Sequence, residues 1–353
     1  MALHGPRAGL RRGVSGHALM DEHNIIRTYF APLAAGAPGA FDLADDAATL
    51  APPPGTDLVV TTDALVAGIH FLADDPSADI AVKALGVNLS DLAGKGADPV
   101  AYTLSLSLPQ SVSPDWLAGF RDGLHALQQA HGISLIGGDT TRSPDTVMLS
   151  ITAFGTAPAG EMIRRSTARA GDLLYASGTI GDAALGLFVS SQDARVDGWG
   201  LAPDALAFLR SRYRRPQPRT NLARVVRDFA SAGLDVSDGL VIDAGRLCAA
   251  SGVTATIRAE SVPLSRAGRA CADADPSCLE TILTGGDDYE LLFTAAPARH
   301  DPLSSAAEAA GTPVRCIGEI TASRTEAETG AVKVIDANGA VMHFNHAGYT
   351  HFA

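Results

Sequence analysis

The chain has 353 residues, 46% of them hydrophobic, which is length for about two domains and for a core that needs neither disulfides nor a structural metal. Its formal net charge of −12 excludes a general nucleic-acid binder, which requires a basic face, and no apolar run approaches the ~20 residues of a membrane helix. Cys248, Cys271, Cys278 and Cys316 form no C-x-x-C pair and have no histidine cluster beside them, so the spacing reads as reduced, mostly buried cytosolic thiols, not zinc or a disulfide framework.

Residues 1–19 are rich in Gly and Arg and lack an apolar h-region, so they read as a disordered extension, or as the product of an upstream start codon with Met20 as the functional start. Ile25, Ile26, Tyr29, Phe30 and Leu33 then recur at helical spacing. FDLADDAATLAPPPG follows as a loop broken by three prolines, and DLVVTTD is a strand. Val82, Leu85, Leu89 and Leu92 share one face of a helix over 78–94. VAYTLSLSL alternates strictly and predicts a half-buried strand. Ser113 and Pro114 read as N-cap and first helical residue, followed by Trp116, Phe120, Leu124 and Leu127. The strands ISLIGG and TVMLSITAFG close a first domain, 20–157.

Residues 158–170 read as a connection at the start of a second domain, 158–353. It continues with the strand DLLYAS, the turn GTIGD and a small-residue helix. Helices near 203–212 and 220–231, a strand ending in LDVSD, the helix GLVIDAGRLCAA and the strands VTATIRA, YELLFT and VRCIGEI follow. Both domains read as α/β.

Four apolar segments end on acids: DLVVTTD at Asp63, SLIGGDTT at Asp139, GLDVSD at Asp235 and Asp238, and ILTGGDD at Asp287 and Asp288. Asp45 and Asp46 lie in the proline-rich loop, and Asp91 lies one helical turn from Asn88. Taken singly, each has an ordinary reading. Asp45 and Asp46 are loop acids, Asp91 pairs with Lys95 at i+4, Asp139 and Asp287 make Asx turns, Asp238 is an N-cap and Asp243 is helix surface. Taken together they pose an electrostatic problem. Two unit charges ~4 Å apart repel by about 4 kcal/mol at an effective dielectric of 20, and crowded carboxylates raise one another's pKa. Divalent cations remove it. Mg²⁺ takes oxygen ligands and shares its shell with waters and substrate phosphates, and the hydroxyls of Thr61 and Thr62 beside Asp63 suit it.

Other chemistry is missing. There is no P-loop and no G-x-S-x-G, and ASGTIGDAALG departs from G-x-G-x-x-G and reads as a tight turn with a helix cap. His70, in GIHF, is either structural or a binding residue. RSRYRRPQPR at 210–219 is either surface or a phosphate contact.

The ordered set LADDAATL, VVTTDALVAGIHF, NLSDLAGKGADP, LIGGDTTRS, MIRRSTARAGD, DVSDGL and LTGGDDYELLF, with the terminal GYTHF, resembles the thiamine-monophosphate kinase family of the PurM-like ATP-binding superfamily. The similarity spans nearly the whole chain after Met20. It implies an α/β (α+β), two-domain PurM-like fold, with an N-terminal sheet domain that pairs into a barrel in a homodimer and a C-terminal α/β domain. It further implies a cytoplasmic enzyme that phosphorylates thiamine monophosphate with ATP, with no nucleic-acid or membrane partner.

In the resemblance, Asp45, Thr61, Thr62, Asp63, Asp91, Asp139, Asp235 and Asp238 hold Mg²⁺. Gly138, Asp139, Arg165 and Ser237 lie on ATP. His70, the acidic segment at Asp287 (or Glu290) and Tyr349 face the substrate. Asp63, Asp91, Asp139 and Arg165 carry the catalytic weight. Ala44, Lys95, Asp287 and Tyr349 stand where the family more often has Gly, a small or apolar residue, Glu and Trp. The selenophosphate synthetase-like relatives carry a reactive Cys or selenocysteine with a Lys near the N-terminus, and the region up to Asp63 holds neither Cys nor Lys. A nucleotide-binding regulatory protein without turnover is the alternative of another class, and the intact acid set speaks against it.

Overall fold

A computed structural model describes residues 21–351; the extension expected at 1–19 lies outside the described residues. The chain opens on helix α1 (Glu22–Ile25), where the Asp21 carboxylate accepts the Asn24 N–H, and continues through a π turn and two 3₁₀ turns. Helical spacing over 25–33 predicted one regular helix. Pro32 lies in that stretch; it lacks an N–H and crowds the carbonyl four residues back, so regular winding does not persist through it.

The first sheet holds β1 (Thr56–Val66), β2 (Asp98–Leu108), β3 (Ser134–Arg142) and β4 (Met148–Pro158) in the order β1-β4-β2-β3. β4 runs antiparallel to β1 and β2, and β2 runs parallel to β3. Alternation in β2 works as expected: Tyr102, Leu104, Leu106 and Leu108 are buried and Ser105 is exposed. Helices α2 (Ser77–Gly94) and α3 (Pro114–His131) lie against one another. α3 starts as expected, with Ser113 Oγ accepting the Trp116 N–H at 3.1 Å.

The second sheet has six strands, β5 (Leu173–Ser177), β6 (Ala232–Val236), β7 (Val253–Arg258), β8 (Glu290–Ala295), β9 (Val314–Ala322) and β10 (Val332–Ile335), in the order β10-β7-β9-β5-β8-β6. Helices α4 (Asp182–Ser190), α5 (Pro203–Arg214), α6 (Ala223–Phe229), α7 (Leu240–Ser251), α8 (Arg266–Ala274), α9 (Cys278–Thr284) and α10 (His300–Ala309) accompany it. All four cysteines are free thiols.

One feature of this layout positions the site. The sequence predicts a one-faced helix over 78–94, yet α2 is buried nearly all round. It lies between the two sheets, touching β1 and β4 on one side and β6 and β8 on the other, and a helix enclosed this way carries no polar face. Gly94 permits the approach: a Cβ there would stand 3.1 Å from the Leu234 carbonyl carbon. The first sheet's other face is open, with Leu58, Val60 and Met148 37%, 54% and 44% exposed.

Candidate active site

Side chains alternate along a strand, so β1 turns Thr61 and Asp63 toward α2 and Thr62 to the opposite face. The Thr61 hydroxyl donates to the Asp91 carboxylate on α2. The close packing of α2 on β6 brings Asp91 beside Asp235. Burial, with the charges of Asp91 and Asp238 added, pushes Asp63 from the ordinary 3.8 up to about 7. Asp235 is raised by burial and by the charges of Asp91, Asp243 and Asp63, against one opposing hydroxyl from Ser90. Asp63, Asp91, Asp235 and Asp238 therefore form one electrostatic neighbourhood. Among the described residues no three His, Cys, Asp or Glu side chains close tightly enough to hold a metal by themselves.

Asp45, Gly138 and Asp139 meet elsewhere. They line a cavity of about 570 Å³ with Thr103, Thr140, Leu58 and Phe154. The glycine is dictated by packing, because a Cβ on Gly138 would lie 1.9 Å from the Leu104 carbonyl oxygen. Register connects this cavity to the first group: Asp63 pairs with Ile151, Ile151 with Leu104 and Leu104 with Gly138. Three strand spacings separate β1 from β3, roughly 14 Å. On the open face a row of hydroxyls spans part of that distance, with Thr152 Oγ1 3.0 Å from Thr62 Oγ1 and Thr103 paired to Thr152 on the next strand.

A second cavity, of about 640 Å³, is lined by Thr62, Asp63, His70, Ser237, Asp238, Asp287, Tyr289, Tyr349 and His351, among others. His70 Nδ1 accepts the Val66 N–H at 3.1 Å, which leaves the ring proton on Nε2. Burial and the neighbouring His351 lower its pKa, so it stays neutral. The Tyr349 N–H donates to the Asp238 carbonyl at 3.0 Å, and its ring meets His351 edge-on at 5.0 Å. His351 lies 5.1 Å from the His70 ring. Asp287 has a positive φ of 73°, and its Oδ2 lies 3.2 Å from Lys83 Nζ.

Several sequence readings are corrected. Glu290 does not face the cavity. It is fully buried, and its carboxylate accepts from Arg212 at 2.9 Å, Arg219 Nε at 2.8 Å and Ser177 at 2.6 Å. Asp238 does not cap α7. Asp243, read as helix surface, is buried and accepts the N–H groups of Ser237, Asp238 and Gly239, while Asp238 pairs with Arg246. Asp91 does not pair with Lys95, whose ammonium donates to the Gly233 carbonyl at 2.7 Å. Most of the basic stretch is engaged within the fold: Arg214 holds Asp75, Arg215 holds Asp79, and Arg212 and Arg219 hold Glu290, while Arg210 is exposed.

Other readings find definite places. Asp288 takes the Gly181 and Ala183 N–H groups, at 2.6 and 3.2 Å, and so caps α4. Arg165 lies on the exposed connection between the sheets, near enough to Lys95 to lower its pKa. Ala44 has φ −102°, so it fits where a glycine is common. The sequence reading missed Lys83, Tyr289 and His351. A lysine inside the otherwise apolar run DIAVKALGV was the signal that could have found the first.

Residues 44–157 match the family model for AIR synthase related protein, N-terminal domain, and residues 169–330 the model for its C-terminal domain. The chain is 43% identical to thiamine-monophosphate kinase of Salmonella typhimurium, over 88% of this chain and 91% of that one. It is 41% identical to the Caulobacter vibrioides enzyme of the same name, covering 84% and 83%. Among solved structures it matches thiamine-monophosphate kinase from Stenotrophomonas maltophilia K279a with TM-score 0.75 and 43% identity, covering 85% and 91%. The complex of AaThiL with AMPPCP and TMP matches with TM-score 0.73 and 28% identity, covering 86% and 89%. The chain belongs to the AIR synthase related family and, within it, to the thiamine-monophosphate kinases.

Proposed function

We propose that this chain, as a member of that family, transfers the γ-phosphoryl group of ATP to the phosphate of thiamine monophosphate, giving ADP and thiamine diphosphate. One observation supports the reading above the rest: Asp63, held near neutral pKa by burial and like charges, borders the cavity that also gathers His70, Asp287 and Tyr349. An acid environment this uncompensated calls for a cation. Few carboxylates per ion, completed by water and phosphate oxygens, is the habit of Mg²⁺, so the absence of a closed acid cage among the described residues fits it. When bound, Mg²⁺ screens the repulsion between donor and acceptor phosphates and stabilises the leaving ADP oxygens.

The residues divide accordingly. Asp63 and Asp238, with Thr62, would hold cations at the cavity they line, with Thr61, Asp91 and Asp235 behind them. Asp45 and Asp139 do so at the far side of the sheet, where Gly138 lets the backbone approach ATP. Ser237 and Arg165 add contacts to the nucleotide. His70 offers Nε2–H, Asp287 a carboxylate and Tyr349 an aromatic face to the thiamine moiety. No general base is needed, because the second pKa of a phosphate monoester is about 6 and the acceptor oxygen is already ionised at neutral pH.

Leu58, Val60 and Met148 on the open sheet face support a homodimer closed through that face. No helix among the described residues is long and apolar enough to cross a membrane, which accords with a cytoplasmic site of action. The test is coupled ADP release by the purified chain with Mg²⁺ and ATP, with and without thiamine monophosphate. Release that depends on the thiamine compound is expected; release indifferent to it refutes the reading.

A further inference from the structure

We propose that Lys83 is a positioning residue for the substrate, its buried ammonium orienting the Asp287 carboxylate from behind the cavity wall. The inference rests on the assignment of this cavity to thiamine monophosphate.

Lysine is almost never fully buried unless paired, and Lys83 is 1% exposed. It projects from the helix shared by both sheets. Its Nζ lies 3.2 Å from Asp287 Oδ2 and 3.9 Å from the centroid of the Tyr213 ring, over the face. Its Nζ makes no hydrogen bond among the described residues, so the link to Asp287 is an ion pair. Lys83 does not line the cavity; Asp287 does. The ammonium therefore acts from behind the carboxylate, occupying one oxygen and leaving Oδ1 for a ligand.

The two walls of the cavity are held differently. On one side, the segment 285–289 is unusual backbone, with positive φ at the non-glycine residues Asp287 (73°) and Tyr289 (51°). Such conformations persist only where the surroundings over-determine them. Here the Asp287 and Tyr289 N–H groups bond to the Ser237 and Val236 carbonyls, both at 2.8 Å, and Asp288 and Glu290 are locked in the interior. Asp287 is left as the acid of this segment that reaches the cavity, and Lys83 sets its direction. On the other side, the loop 67–75 is closed by Asp75, which accepts the Leu72 N–H at 2.9 Å and binds Arg214 at 2.6 Å. The charge of Lys83 also acts on Asp75, and His70 on the same loop feels both Asp287 and Lys83. The ammonium thus contacts the carboxylate of one wall, Asp287, while Arg214 contacts that of the other, Asp75. Pre-organisation of this kind improves binding by reducing the ordering that the ligand must impose.

The experiment compares the full-length wild type with Lys83→Met, Lys83→Arg, Asp287→Asn and the double variant Lys83→Met/Asp287→Asn. It measures thiamine monophosphate binding by calorimetry, KM for each substrate, and thermal melting. Lys83→Met is expected to weaken thiamine monophosphate binding and raise its KM by about tenfold or more, with the KM for ATP unmoved. Lys83→Arg, which keeps the charge, is expected to lose less. The double variant is expected to bind no worse than Asp287→Asn alone, because the two share one interaction. Unchanged thiamine monophosphate affinity in Lys83→Met, equal shifts in both KM values, or additive losses in the double variant overturn the proposal. Should Lys83→Met not fold, Lys83→Gln decides, a several-fold rise confined to thiamine monophosphate supporting the proposal and an unchanged value overturning it. A wild type that binds thiamine monophosphate but releases no ADP refutes the reaction, and the binding comparison still decides the role of Lys83.

Discussion

Replacing Asp63 by Asn is expected to strengthen the metal-free fold while abolishing turnover. In the folded chain Asp63 holds its proton up to about pH 7, against 3.8 for an ordinary aspartate. Below 3.8 both folded and unfolded chains are protonated there, and the residue contributes nothing to a pH dependence. Between 3.8 and about 7 the unfolded chain has released the proton and the folded chain still holds it, so stability falls as pH rises. Above about 7 both are ionised and the whole cost is present. The difference is about 3 pKa units, each worth about 1.4 kcal/mol, or about 4 kcal/mol in all. At pH 5 about 1 unit of it has developed, or roughly 1.6 kcal/mol. Asn carries no charge and escapes the cost. Denaturant unfolding in a chelator, followed by the fluorescence of Trp116 and Trp199, one in each sheet domain, measures this directly. The variant should exceed the wild type most at pH 8.5, less at pH 5, and by little near pH 4. Saturating Mg²⁺ should close the gap by stabilising the wild type alone. A wild type as stable as Asp63→Asn in chelator at pH 8.5, or a gap that widens as pH falls, refutes the reasoning.

Asp91→Asn should lower kcat by orders of magnitude in the coupled ADP assay, since its carboxylate serves both Thr61 and the acid cluster. His70→Ala should raise the KM for thiamine monophosphate and leave the KM for ATP in place, because only the second cavity contains it. Glu290→Gln should cost about 3 kcal/mol or more of stability in denaturant melts, as a buried ion pair loses one partner, while the KM values of the folded fraction stay near those of the wild type. Leu58→Glu combined with Val60→Glu should convert a dimer to a monomer in sedimentation velocity, charge having been placed on the open apolar sheet face.

The acids were legible because each interrupts an apolar pattern, as Asp63 does after DLVVTT and Asp139 after SLIGG, but the reading that the strands stop there is corrected: β1 continues to Val66 and β3 to Arg142. The presence of the longer strands and the start of α3 at Ser113 followed from the same local signals. What pattern could not carry was long-range pairing. Arg212 and Arg219 are 78 and 71 residues from Glu290, so the basic stretch looked solvated and Glu290 looked available. Asp243 looked like helix surface because nothing local announces that its carboxylate turns back to three N–H groups. The burial of α2 on all sides is tertiary as well, since it follows from the position of a second sheet. The strand β10 and the helices α8, α9 and α10 are short, and their few apolar positions set up no clear period.

The same long-range pairing separates the buried acids that build the fold from those that serve chemistry. Asp75 is raised by burial but relieved by the Leu72 N–H and Arg214. Asp182 is relieved by Ser265, Thr179 and Arg212, Asp243 by backbone N–H and Arg246, and Asp288 by the Gly181 and Ala183 N–H groups. Asp235 has a single hydroxyl, that of Ser90, set against three like charges. At Asp63 every influence raises the pKa, and no hydrogen bond or cation opposes it. A fold selected for stability alone would supply an arginine there, as it does four times between residues 212 and 219. The charge that is missing at Asp63 is therefore one the reaction brings with it. That supports the proposal that phosphoryl transfer takes place beside Asp63, at the part of the cavity that Thr62 and Asp238 also line.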